Sequence, residues 1–391
     1  MGPLKGIKVI EIAGIGPGPF CGMMLADMGA DVTLVQRQSS NSDADAVDPA
    51  AMGKYAIFNR GKKSIALDLK NQDAVEVVLR LVETADALIE GFRPGVMERL
   101  GLGPEVCLQR NRKLVFGRMT GWGQFGPLAH AAGHDINYIA LSGALYYSGH
   151  KSEAPFAPPT LVGDLGGGAM MLAVGVLAGI LNARQTGKGQ VIDAAITDGS
   201  ALLNTLLMSF HQMGVWSNAR SDNMIDGGSP WYDTYECADG DFITVGALEP
   251  QFYALLLEKC GLSDDPDFAG QFDKTSWPKG KEKLQHLFKS RTRSEWCDLL
   301  EGTDVCFAPV LNLEEAANHP HNRERSTFVD VDEVLQPAPA PRFSETPSEL
   351  SECPPAAGAN TEEILQALGY EDHQIGQLMR AALSRNRRQS A

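Results

Sequence analysis

The first apolar run, Ile7 to Ala13, is short and ends in the Gly/Pro cluster GIGPGP, so it reads as a strand that turns into a helix from about Phe20 to Met28. The pattern then repeats. Further strands are predicted at Asp31–Gln36, Ser64–Leu69, Asp86–Glu90 and Lys113–Arg118, with helical patterns between several of them. Val191–Thr197 reads as another strand and Asp198–Gly214 as the helix after it. Strands alternating with helices predict an α/β fold with a Rossmann-like parallel sheet. From Trp216 the chain shifts to Gly, Asp and aromatic residues, then gives a strand at Asp241–Ala247 and helical patterns up to Leu300. This predicts a smaller α+β domain over 216–324, with the large domain formed by 1–215 and completed by 325–391. Gln336–Pro355, rich in Pro, Ser and Ala, is expected to run extended, and Asn360 with Glu363 to cap a last helix through Leu368.

Within this pattern one stretch, Gly133 to Gly168, sets His134 and Asp164 each beside glycine and each just before an apolar run. A helix is predicted from Asp135 to Tyr147, which puts the His134 imidazole and the first free backbone N–H groups at a helix start. Asp164 repeats the arrangement, with Gly166, Gly167 and Gly168 opening a long apolar helix whose dipole favours a carboxylate. Moving a proton and stabilising an oxyanion needs a base, an acid and aimed donors, and all three are present in kind. Taken alone, an Asp before a helix is most often an N-cap and a His at a helix start most often structural. Leu165–Ala183 is 19 residues without a charge; its glycines, Gly175 and Gly179 among them, favour a buried helix over a membrane span.

Charge and composition remove several classes. Against 34 Lys and Arg stand 49 Asp and Glu, a net charge of −15, which excludes a broad nucleic-acid surface. Any bound anion must be met by local basic residues, and these fall where strands end: Arg37, Lys70 and Arg93, the last inside GFRPG. Arg60, Lys62 and Lys63 are candidates to add to that field. The seven cysteines are scattered with no C-x-x-C pair, which fits reduced thiols and a cytoplasmic protein. No signal peptide, myristoylation pattern or peroxisomal ending is expected; the chain closes on RNRRQSA. Gly14, Gly16 and Gly18 lack the G-x-G-x-x-G spacing and Pro17 and Pro19 lack N–H donors, so no NAD is expected. No metal site is expected either, since the His130/His134 and His319/His321 spacings lack the companions a ligand set needs.

Long strings of the chain resemble the family III CoA transferases, the CaiB/BaiF-like superfamily: GIKVIEIAGIGPGP, GADVTLVQR, LIEGFRPGVMERLGLGP, RMTGWGQFGPLA, LVGDLGGGAM, GKGQVIDAAITDGS and YDTYECADGDFITVGALEPQFY. GHDINYIALSG, with its histidine, resembles the α-methylacyl-CoA racemase branch in particular. The resemblance implies an isomerase of fatty acid metabolism that interconverts the (2R) and (2S) forms of 2-methylacyl-CoA thioesters by 1,1-proton transfer. It implies that His134 and Asp164 carry the proton and that Glu249 orients and charges His134. It further implies CoA contacts at Arg37, at Leu67, Asp68, Leu69 and Lys70, at Gly91, Phe92 and Arg93, at Arg99, and at Gly133, Asp135, Ile136, Asn137 and Tyr138. CoA is then part of the substrate and no separate cofactor is expected, while the partner is a second copy in an interlocked homodimer. The acyl chain is expected to lie on methionines, here thinned to Met208, Met213 and Met224; plain core packing is expected for most of the nearby Leu202, Leu203, Leu206 and Leu207. The alternative is CoA transfer between carboxylic acids through an Asp164 mixed anhydride.

Overall fold

The structure, a computed structural model, describes residues 2–38, 52–350 and 353–384; the RNRRQSA ending lies outside the described residues. The chain forms two compact units, one of residues 1–142, 158–203 and 324–391 and one of residues 143–157 and 204–323.

The first unit is built on six parallel strands: β1 (Lys8–Ile12), β2 (Asp31–Gln36), β3 (Lys62–Ala66), β4 (Ala87–Glu90), β5 (Val115–Thr120) and β6 (Gln190–Ala195), in the order β3-β2-β1-β4-β5-β6. The strands are short, and their apolar positions, such as Val9, Ile10 and Ile12 of β1 and Val115, Phe116 and Met119 of β5, are buried under the layers that cover the sheet, while the buried charges Glu11 and Lys62 pair with each other. On one face α2 (Gln72–Val82) brings Val75, Val78 and Val82 onto Ile10, Ile12, Ile65 and Leu88. On the other, α1 (Pro17–Asp27) and the helix Met171–Thr186 bring Cys21, Leu25, Leu172 and Val176 onto Val9, Val32 and Ile89. The sheet order reverses direction between β1 and β4, which opens the crevice at the carboxyl ends of those two strands. The GIGPGP loop follows β1 there, and GFRPG follows β4.

Several predicted boundaries moved, each for a local reason. The helix α1 begins at Pro17 rather than Phe20, because proline is accommodated in a first turn, where no N–H partner is needed. The helix after His134 stops at Leu141 rather than Tyr147: Gly143 takes a φ of 83°, the left-handed ending that glycine supplies. The helix expected over Asp198–Gly214 is two, Ile196–Leu203 and Thr205–Gln212, broken at Asn204 where the chain passes from the first unit to the second. Asp164 lies within its helix rather than before it. The helix starts at Leu161 and is π-wound through Met170, with Leu165 N donating to Thr160 O five residues back at 3.0 Å.

The stretch Leu161–Thr186 is long and apolar enough, by length and composition, to cross a membrane. Its inner face is nonetheless core of the first unit. A Cβ at Gly175 would stand 2.8 Å from Ile192, and one at Gly179 2.8 Å from Val115, so these glycines let the helix lie against β5 and β6. The sheet's β3 edge is closed by the C-terminal segment: Asn360 Oδ1 accepts from Ser64 N at 2.9 Å and Thr361 Oγ1 from Ala66 N at 3.0 Å. That use of Asn360 replaces the capping role expected for it, and Thr361–Ala367 has no side-chain cap.

The second unit packs helices Pro250–Lys259, Trp277–Phe288 and Arg293–Leu300 on an antiparallel sheet of Tyr232–Glu236, Phe242–Gly246 and Phe307–Pro309. Its core is aromatic, with Trp231, Phe268, Phe288 and Trp296 fully enclosed. The indoles of Trp231 and Trp277 both donate to Gln271 O at 2.9 Å, so their polar edges are satisfied inside the core.

Candidate active site

The site is assembled from the loop after β5 upward. Gly121 and Gly133 leave room for the Tyr138 ring, since a Cβ at either would stand 2.0 Å and 2.8 Å from it. Trp122 closes edge-on at 4.7 Å, and the Tyr138 hydroxyl donates to the Gly133 carbonyl. This clamp fixes the start of the helix Asp135–Leu141. His134 is its N-cap residue, in extended conformation at φ −135°, and its backbone N–H is taken by Asn137 Oδ1 at 3.0 Å. The imidazole side of the residue stays exposed, as do Ile136 and Asn137, while Asp135 turns inward and is buried. The Asp135 N–H has no backbone or side-chain acceptor among the described residues and is left for a ligand.

Asp164 reaches this helix start from the π-wound segment. Its backbone N donates to Asp135 Oδ1 at 2.7 Å. The approach is possible only because residue 163 is glycine, where a Cβ would stand 2.3 Å from that same oxygen. The Asp164 carboxylate faces the GIGPGP loop, with Oδ2 at 3.3 Å from the position a Cβ would take on Gly16. Its pKa is pushed up to about 6, first by burial and then by the Asp135 charge, with the His134 charge drawing it back. Tyr138 is pushed up in turn by burial and by Asp164, and drawn down by Arg93. His134, Asp135, Tyr138, Asp164 and Arg93 therefore share one electrostatic neighbourhood.

The basic residues expected to meet a diphosphate divide into two groups. Arg37, Lys70 and Arg93 follow β2, β3 and β4 on the carboxyl-end side of the sheet and are exposed, and Arg99 closes the short helix Val96–Arg99. Asp68 and Leu69 are half-buried, and Asp68 Oδ1 holds Lys70 N at 3.1 Å. Gly91 is exposed, and Phe92 packs on the core beneath it with its N–H on Glu90 at 2.7 Å. The Leu67 side chain is only 2% exposed and belongs to the core, so a ligand contact at this position falls to its backbone. Arg60 and Lys62 fail as phosphate ligands. Arg60 is buried against Asp27 at 2.6 Å and Lys62 against Glu11 at 2.7 Å, so both charges are already spent inside the fold. Lys63 pairs loosely with Asp31 and Glu363.

Glu249 lies in the second unit, where it is the exposed N-cap of Pro250–Lys259 with no cap bond from its side chain. Nearby in that unit, burial first and the Glu249 charge second push the Cys306 thiol up. The sequence had singled out neither Gly16 nor Gly163 as a wall of the site. The signal was present only as glycine next to the candidate carboxylate, and glycine next to a helix start has many uses.

Comparison with known proteins bears on the family and the fold. The family model described as CoA-transferase family III matches residues 4–361. An alpha-methylacyl-CoA racemase of Mus musculus is 44% identical over 377 residues, covering 96% of each chain, and one of Homo sapiens is 43% identical over the same span and shares. A succinyl-CoA:glutarate CoA-transferase of Homo sapiens is 28% identical over 97% of this chain and 90% of its own. Among solved structures, a Mycobacterium tuberculosis protein, Rv3272, superposes with a TM-score of 0.76 at 26% identity, covering 93% of this chain and 99% of that one. A CaiB/BaiF family protein from Brucella suis gives 0.78 at 24%, a likeness of fold, over 94% and 99%. With its site residues on a doubly covered parallel sheet and the family match running through both ends of that sheet, this chain belongs to CoA-transferase family III.

Proposed function

We propose that the protein is a racemase acting on 2-methylacyl-CoA thioesters. The observation that carries this reading is the meeting of two different proton carriers, His134 and Asp164, at one helix start, with the carboxyl tuned to about 6. A general acid or base works best with a pKa near the operating pH, and an ordinary aspartate lies well below it. Neutral His134 removes the α-proton of one epimer, and protonated Asp164 delivers a proton to the opposite face; the other epimer runs in reverse. The thioester oxygen gains charge as the enolate forms, and the free N–H of Asp135 is the donor for it. Glu249 stabilises the imidazolium and fixes its tautomer. The CoA moiety lies along Arg37, the backbone of Leu67 to Lys70, Gly91 to Arg93, Arg99 and the 133–138 turn, where exposed guanidinium forks suit phosphates. It leaves with the product, so no cofactor beyond the substrate enters.

Two copies are proposed to form the working unit. Val174 and Leu181, seven residues apart on Met171–Thr186 and therefore on one face, are 64% and 60% exposed. Leu202, Leu203 and Leu206 are exposed too, and Leu207 is not buried, so the core role expected for them is not the one they have. Apolar rows of this kind mark association surfaces. Val174→Lys with Leu181→Lys is expected to yield a monomer by sedimentation; a dimer that persists removes this face from the interface. The seven free cysteines fit a reducing compartment such as the cytoplasm.

The deciding experiment incubates a single-epimer 2-methylacyl-CoA in D2O with an added free carboxylic acid. Deuterium at the α-carbon with loss of stereochemical purity supports the racemase. Passage of CoA to the added acid with the α-proton retained makes Asp164 a nucleophile and the protein a CoA transferase. His134→Ala is expected to remove exchange from one face more than from the other; equal residual exchange of both epimers refutes the two-carrier assignment.

A further inference from the structure

The side chain of Asp135 has a place in this site that CoA binding does not explain. It is buried, it points away from the exposed residues around it, and it spends one oxygen on the Asp164 backbone. A second observation shows how closely that seat is built: the absence of a Cβ at Gly163 is what admits Oδ1, with 2.3 Å otherwise between them. One carboxylate is thus held on the backbone of the other acid's residue, close enough for its charge to act on that acid, and among the described residues no Lys or Arg is paired with either.

We propose that Asp135 is a positioning residue for Asp164, fixing its backbone through the Oδ1 bond and holding a proton on its carboxyl through like-charge repulsion. The inference rests on the reading of Asp164 as one of the two proton carriers. Physically, the bond locates the carboxyl against the reacting carbon, and the second negative charge makes the ionised form of Asp164 costlier than the protonated one. Without it the ionised form of Asp164 would be less costly, and burial alone would be left to favour the protonated one.

The groups facing Asp164 can be named element by element. From the helix Asp135–Leu141 come Asp135, which raises it, His134, which lowers it, and the Tyr138 phenol. The loop leading into α1 presents the uncharged Gly16. The helices α1, Met171–Thr186 and Ile196–Leu203 and the strands β5 and β6 also pack on the π-wound segment, but their ionisable residues Cys21, Asp27, Arg184, Asp198, Arg118 and Asp193 are not among the groups that move it.

The test is Asp135→Asn, which keeps an acceptor oxygen and the backbone N–H but removes the charge. Asp164 is titrated directly by carboxyl carbon NMR, and α-deuteration of each epimer is followed over the same pH range. The Asp164 midpoint is expected to fall from about 6 toward, but not to, the ordinary 3.8, because burial still acts on it. The pH at which Asp164-dependent exchange declines should fall with it. An unchanged NMR midpoint and an unchanged profile would overturn the proposal and leave Asp135 a structural ligand of the loop. Should wild type show no α-exchange while the midpoint still moves, the racemase reading fails and the coupling of the two carboxylates stands. Gly163→Ala provides the second variant. By pushing the Asp135 carboxylate out of its seat it should lower the midpoint in the same direction, and a midpoint that stays at its wild-type value counts against the proposal even where Asp135→Asn does not fold.

Discussion

Glu11 and Asp164 are both acids removed from water within the same unit, and they have opposite surroundings. Glu11 sits one residue before the end of β1, 1% exposed, with Lys62 Nζ at 2.9 and 2.7 Å from its two oxygens and Gly22 of α1 leaving the space for it. Burial pushes its pKa up and the lysine pulls it back; Lys62 is pushed down by burial and held up by Glu11. Lys62 also bonds Pro19 O at 3.0 Å, which ties the first turn of α1 to the sheet. Among the described residues Asp164 has no such cation at bonding distance. It meets Asp135, it remains half open, and glycine lines its approaches. A buried carboxylate given a cation becomes a brace, whereas one given a like charge and a path to solvent becomes a proton carrier.

The comparison can be broken from either side. The largest effect is expected at Asp164→Asn, which should slow α-proton exchange by about 10²–10⁴-fold, the usual contribution of a positioned acid or base, while the fold melts nearly as before. Lys62→Met should do the reverse. It leaves the Glu11 charge buried without a partner, and denaturant unfolding should show a loss of about 3–5 kcal/mol, much of it restored by adding Glu11→Leu.

A pH experiment sharpens the contrast. The Asp164 pKa is raised in the folded state, so the stability it contributes is present at low pH and is lost as pH rises from 3.8 through about 6. Relative to Asp164→Asn, wild type should therefore lose stability across that window, and parallel unfolding curves for the two would remove the burial argument. At Gly16 a φ of 75° and the nearby Oδ2 make Gly16→Ala strained by about 1–2 kcal/mol. This variant should also slow exchange on the Asp164 face more than on the His134 face. The smallest effect is expected at Gly143→Ala, about 1 kcal/mol from its positive φ alone, with exchange at both faces unaltered.

Much of this was legible in the chain because it is local. The short apolar runs between polar and Gly/Pro-containing stretches located all six parallel strands to within a few residues, since each strand buries at least part of its length in the core. Arg37, Lys70 and Arg93 could be placed at the carboxyl-end side of the sheet because a parallel sheet presents all its carboxyl ends together. His134 and Asp164 could be picked out by their glycine neighbours and the apolar runs behind them.

What the sequence by itself determined is therefore the alternation of elements and the kinds of chemistry at their ends. Tertiary structure alone decided which charges remained available. Arg60 and Lys62 sit in the same basic string as Lys63, yet two are buried in ion pairs with Asp27 and Glu11, residues 33 and 51 positions away. Leu67 went to the core, Asp68 and Leu69 stayed half-buried, and only Lys70 of that run is exposed. Asp135 and Asp164, 29 positions apart, became one coupled pair through a bond that a single Cβ at residue 163 would prevent. Periodicity records how each residue relates to its next turn or strand, whereas desolvation and charge coupling depend on what the folded chain brings within a few ångströms, and no local pattern carries that information.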